Sequence, residues 1–151
     1  MKKHVAVFEK IKELLVRLFP DQIEEVEREN HLSIDDTGIW IASDERELTV
    51  GYGMIHFHCD PEFDNLNEVI EKFFNLIVRR KRITEYFKGD FCYKYTVDLE
   101  LDNDNFKSLG TSMTWLYPFW KKSKTKVTYQ NELINQSKIE KEIIEIKNYA
   151  Q

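Results

Sequence analysis

The sequence predicts an α+β fold: a mostly antiparallel sheet of about six to seven strands, an N-terminal helix, a central helix packed on the sheet and a C-terminal helix. Three observations predict it. Apolar residues recur at three- and four-residue steps near the start, middle and end of the chain. Between those stripes apolar and polar residues alternate, the period of a half-buried strand. Short turn signals separate the alternating runs, so neighbours pair antiparallel.

Val5, Phe8, Ile11, Leu15 and Leu18 form the first helical stripe, widened by Val7, Leu14 and Phe19, and Pro20 stops it. Residues 21–30 are acidic, with only Ile23 and Val26 apolar, and read as a short exposed helix or an edge strand, with helix the preferred expectation. A three-strand meander follows over 31–58, turning at Asp35 to Gly38 and again at Ser43 to Arg46. Its last strand, 47–58, places Leu48, Val50, Tyr52, Met54, His56 and His58 on one face and Thr49, Gly51, Gly53, Ile55 and Phe57 on the other. Apolar on both faces near one end, it is expected to be central in the sheet, with Gly51 and Gly53 marking a bulge or a close backbone approach.

Asp60 and Pro61 have the chemistry of an N-cap and first helical residue. Phe63, Leu66, Val69, Ile70, Phe73, Phe74 and Ile77 then make one wide apolar face, which belongs on the sheet. A short strand at 83–87 turns at Lys88 to Asp90 into the cleanest alternation in the chain, 91–101. Residues 106–120 read as an aromatic-rich strand and 125–129 as the last one. Ser137 and Glu140 have the spacing of a capping box, opening a helix striped by Ile139, Ile143 and Ile146. No internal linker or repeat interrupts the 151 residues, which read as a single α+β domain.

Composition narrows the function classes. The net charge of −5 argues against general nucleic-acid binding, which needs a basic surface to displace counterions from phosphate. Cys59 and Cys92 belong to no paired motif and suit a reducing cytoplasm. Charges interrupt the N-terminal apolar run, as a signal peptide would not allow, and no run approaches ~18 apolar residues. A cytoplasmic protein that contacts no membrane is expected.

Nucleotide fingerprints and a nucleophile elbow are absent from the sequence, and no catalytic residue or cofactor is assigned. His56 and His58, two apart on a strand, point the same way and are the metal-ligand candidates, with His31, Asp60 and Cys92 as further donors. Against this stands the ordinary role of histidines at a core rim and of Asp60 as a cap. Asp98, Glu100, Asp102 and Asp104 alternate along one strand and its turn, and Glu24, Glu25, Glu27 and Glu29 form a second acidic cluster. Such faces steer a basic partner; equally, they pair with lysines across a sheet. Trp115 and Trp120, with Tyr117 and Phe119, are interface-anchor types that also pack sheets.

The run Leu48 to Tyr52, then His56 and His58, then an amphipathic helix, resembles small bacterial α+β proteins similar to immunity proteins of polymorphic toxin systems. The resemblance covers 35 or so residues. It implies a cytoplasmic inhibitor that binds a toxin domain, and transfers no catalytic residue. The resulting expectation is a non-enzymatic protein-binding domain whose partner surface includes Asp98, Glu100, Asp102, Trp115 and Trp120. The partner is a protein, a basic toxin domain under the resemblance. The alternative is a small-ligand or metal-dependent enzyme using His56 and His58. A homodimer through the last helix or the Trp115–Trp120 face is a third expectation.

Overall fold

A computed structural model describes residues 1–151, leaving aside only the side chain of Glu27. It has three helices and nine strands, with every strand pairing antiparallel, in two sheets. Contacts divide the chain into two compact units, Met1–Ile77 with Ile134–Gln151, and Val78–Leu133. No helix among the described residues is long and apolar enough to cross a membrane.

The first unit opens with α1, Lys3–Leu18, which buries Val7, Phe8, Ile11, Leu14 and Leu15 on the face its stripe prescribes. It ends where the Phe19 N–H donates to the Leu15 carbonyl at 2.8 Å. A five-stranded meander follows in sequence order: β1 (Ile23–Val26), β2 (His31–Ile34), β3 (Ile39–Ser43), β4 (Leu48–Tyr52) and β5 (Ile55–Cys59). The acidic segment expected to be helical is therefore a strand followed by a 3-10 turn at Glu27–Glu29. Its glutamates favour a helix, but the segment has too few apolar residues to build a buried helical face. Pairing Ile23 with Ile34 and Val26 with His31 gives it a sheet edge instead.

The expected strand over 47–58 is a hairpin. Gly53, at φ +57°, and Met54 form its turn, and the Gly53 N–H donates to the Gly38 carbonyl at 2.8 Å. Tyr52 pairs with Ile55, so the side-chain parity reverses across the turn. His56 and His58 lie beside Gly51 and Thr49, opposite to the face shared by Leu48, Val50 and Tyr52. β5 is an edge strand rather than a central one.

The inner face of this sheet buries Leu32, Ile34, Ile39, Ile41, Leu48, Val50, Ile55 and Cys59. Helix α1 packs on β3 and β4 and against α3, Glu140–Ala150. Helix α2, Leu66–Val78, buries seven apolar side chains. At roughly 1.5–3 kcal/mol each, these outweigh any local propensity in fixing its position. Its Lys72 ammonium lies 4.4 Å from the Phe57 ring of β5, and Lys147 of α3 reaches its Glu71 at 3.4 Å.

Two helix starts differ from the sequence reading. Asp60 and Pro61 form a separate turn, in which the Glu62 N–H donates to Asp60 Oδ1 at 3.0 Å. Asn65 caps α2 by accepting from the Asn67 N–H at 2.9 Å, and Phe63 is left exposed. Before α3, Asn135 rather than Ser137 is the capping residue, accepting from the Ser137 N–H and opening a 3-10 turn at Gln136–Lys138.

The second unit is one sheet in the order β8-β7-β6-β9, from β6 (Lys81–Lys88), β7 (Phe91–Asp102), β8 (Asn105–Met113) and β9 (Ser123–Gln130). The strand expected over 106–120 stops at Met113; the Thr114 N–H makes one last bond to the Tyr93 carbonyl at 2.9 Å, and a loop follows. Only Lys81, Val97 and Leu99 of this unit are fully buried. The split of 47–58 and the added β1 raise the expected six to seven strands to nine, and pairing divides them into two antiparallel sheets.

Candidate functional site

The second sheet presents a half-exposed face built by strand alternation. Arg80 and Arg82 enter from β6 and its lead-in, Asp98 and Glu100 from β7, Phe106 from β8 and Tyr129 from β9. The Arg82 guanidinium donates to Asp98 Oδ2 at 3.0 and 3.2 Å and lies 4.2 Å from the Phe106 ring centroid. Arg80 repeats the arrangement, 3.5 Å from Glu100 Oε2 and 4.2 Å from the Tyr129 centroid. Each guanidinium is thus paired with a carboxylate and lies over an aromatic ring. Thr84, Thr96 and Thr111 pair across three strands next to this cluster. Tyr129, Val127 and Met113 on the same face are exposed.

Of the residues singled out from sequence, Asp98 and Glu100 belong to this cluster, each engaged by an arginine rather than lying as a bare acidic stripe. Asp102 is exposed at the end of β7. There it lines an open groove of about 570 Å³ with Arg79, Arg80, Glu100 and Glu132. Arg80, Arg82, Phe106 and Tyr129 were not singled out. The available signal was Arg80 and Arg82 two apart where the chain enters β6, a spacing that puts both on one face.

No family model, curated protein or solved structure matches the chain.

The loop 114–122 holds Trp115 and Trp120. Both are exposed, as are Leu116 and Phe119, while Tyr117 stacks on Tyr93 with centroids 4.4 Å apart. Nothing in the structure covers this aromatic set.

His56 and His58 sit on the outer face of the first sheet, in a row that runs His31, Trp40, His56, His58. Ring centroids are 5.4, 6.2 and 4.9 Å apart. Trp40 lies directly over Gly51, where a Cβ would come within 2.2 Å of its ring, and donates from Nε1 to the Gly53 carbonyl at 3.0 Å. This is the close approach that the glycines signalled, made by an indole rather than a backbone. His58 Nδ1 is 2.5 Å from Glu47 Oε1 and 3.2 Å from Thr49 Oγ1. Among the described residues, no group of three or more His, Cys, Asp or Glu side chains is placed to hold a metal ion.

Both thiols are free, Cys59 buried and Cys92 partly so. Burial, then the carboxylates of Asp64 and Asp60, pushes the Cys59 thiol up to about 11. Cys92 is half-buried, with Sγ 3.5 Å from the Lys94 carbonyl. Lys81 is buried, and desolvation lowers its ammonium to about 8 although Glu132 opposes the shift. Its Nζ donates to the Arg79 carbonyl at 3.1 Å, a structural partner.

Proposed function

We propose that this chain is a non-enzymatic protein-binding domain that docks through the arginine–aromatic face of its second sheet. The observation that carries the reading is the pairing of Arg80 with Tyr129 and of Arg82 with Phe106, each guanidinium fixed by a carboxylate and left half-exposed. Arginine and tyrosine are the residue types that most often dominate binding energy, and here they are already ordered, so little conformational entropy is lost on docking. Asp98 and Glu100 hold the anchors, and Asp102 forms a charged rim. In its finer form, the domain is a cytoplasmic immunity protein that occludes a basic toxin domain, with Asp102 and Asp104 supplying attraction at the edge.

The test uses the tagged full chain as bait in lysate of the native host, followed by titration of the partner identified by mass spectrometry. Tyr129→Ala and Arg80→Ala each weaken that partner by ~10-fold or more, with circular dichroism unchanged. Wild-type affinity in both variants would remove this face as the interface.

The small-ligand or metal-dependent alternative has one observation in its favour, the exposed His56–His58 pair with Glu47 on His58. Metal analysis of the purified protein addresses its metal-dependent form. Stoichiometric metal lost on His56→Ala would favour it over the docking face.

A further inference from the structure

The loop between β8 and β9 exposes four large apolar side chains in six residues: Trp115 at 86%, Leu116 at 87%, Phe119 at 72% and Trp120 at 72%. Water contact of this extent on contiguous aromatic and aliphatic groups marks a surface that meets something apolar. The loop is nevertheless shaped without them. Tyr117 is clamped on Tyr93, the Phe119 N–H donates to the Tyr117 carbonyl at 2.8 Å, and the Lys121 N–H to the Pro118 carbonyl at 3.0 Å. The Gly89 N–H, from the β6–β7 turn, donates to the Lys122 carbonyl at 2.8 Å. Phe119 and Trp120 meet edge to face, their ring centroids 5.4 Å apart.

The charge around this tip is opposite to that of the chain. The whole sequence carries −5, yet between Asp104 and Glu132 it holds five lysines and no carboxylate. Lys121, Lys122 and Lys124 follow Trp120 directly, and Lys88 comes alongside, its Nζ 2.5 Å from Ser123 Oγ. Asp90, in the adjoining β6–β7 turn, is paired with Lys124 at 3.0 Å.

We propose that this tip docks on an anionic bilayer surface, with Trp115, Leu116, Phe119 and Trp120 entering the headgroup–acyl boundary and Lys121 and Lys122 facing the lipid phosphates and carboxylates. Tryptophan is the side chain that settles best at that depth, since its ring is apolar and its N–H stays wet. Lysines beside it add attraction that a neutral bilayer lacks. The contact is peripheral, and departs from the sequence expectation of no membrane contact. It is separate from the arginine–aromatic face, so either surface can fail without the other.

The test is co-sedimentation of the full chain with vesicles of mixed phosphatidylcholine and phosphatidylserine, beside vesicles of phosphatidylcholine alone. Expected are binding to the mixed vesicles, a fall as salt rises, and quenching of tryptophan fluorescence by brominated acyl chains. Lys121→Gln with Lys122→Gln lowers partitioning by about 30-fold. Trp115→Ala with Trp120→Ala abolishes it, and Tyr129→Ala leaves it intact. These side chains are exposed, and circular dichroism checks that each variant folds. Absence of binding to mixed vesicles, or binding that both double variants retain, overturns the proposal. A dimer in solution that Trp115→Ala dissociates also overturns it, and assigns the tip to a second copy of the chain.

Discussion

Gly51 is the position where a single missing carbon matters most. Its Cβ would stand 2.2 Å from the Trp40 ring, so Gly51→Ala must displace the indole and break its bond to the Gly53 carbonyl. The expected cost is roughly 1–3 kcal/mol, read as a lower urea midpoint at unchanged slope. The buried ionisable groups give opposite pH signatures. Lys81 has its folded value lowered from 10.5 to about 8, so between those values the unfolded chain binds more protons and stability rises with pH. Below about 8 the full cost of the buried ammonium is present. Cys59 is raised from 9.0 to about 11; the folded chain keeps the proton that the unfolded chain loses, and stability falls across that window. Lys81→Met should therefore raise stability at neutral pH by about 1–3 kcal/mol and remove the rise that starts near 8. Urea melts across the alkaline range check both. Alkylation of the native protein followed by mass spectrometry should label Cys92 before Cys59.

At the scale of elements, the caps and turns decide where periodic patterns begin and end. Asn65→Ala removes the side chain that accepts from the Asn67 N–H and should cost about 1 kcal/mol, whereas Pro61→Ala should leave α2 nearly unchanged. Comparing the two by thermal unfolding separates the observed cap from the one the motif Asp60–Pro61 suggested. That motif was chemically sound but served a turn, because Asp60 accepts locally and leaves Phe63 exposed. The hairpin at Gly53 shows the same limit. A period-two pattern continues through a two-residue turn without a visible break, and only cross-strand pairing reveals that parity has changed. The three helices were legible because their stripes run through several turns. The acidic β1 was not, since four residues carry too little periodicity to outweigh propensity.

Taken whole, the chain sets two sheets of different character in two units. In the first unit, α1 packs on β3 and β4, and its inner sheet face is buried. In the second, β9 is exposed along nearly all its length and carries Lys124 and Lys126, charges that discourage edge pairing with another chain. Native-state hydrogen exchange should accordingly be slowest in β3, β4 and α2 and faster in β9. Equal protection of β9 and β4 would contradict this gradient. The sequence by itself determined the α+β class, the three helices and the side chains that fill the first core, because burial follows periodicity and periodicity is written locally. It also marked Asp98, Glu100 and the Trp115–Trp120 loop as notable. Tertiary structure alone decided that Asp98 and Glu100 are taken by arginines, that Arg80 and Arg82 stack on rings from two other strands, and that Trp115 and Trp120 stay in water. Those outcomes depend on register between segments distant in sequence, and register is set by pairing across the sheet rather than by any pattern within one strand.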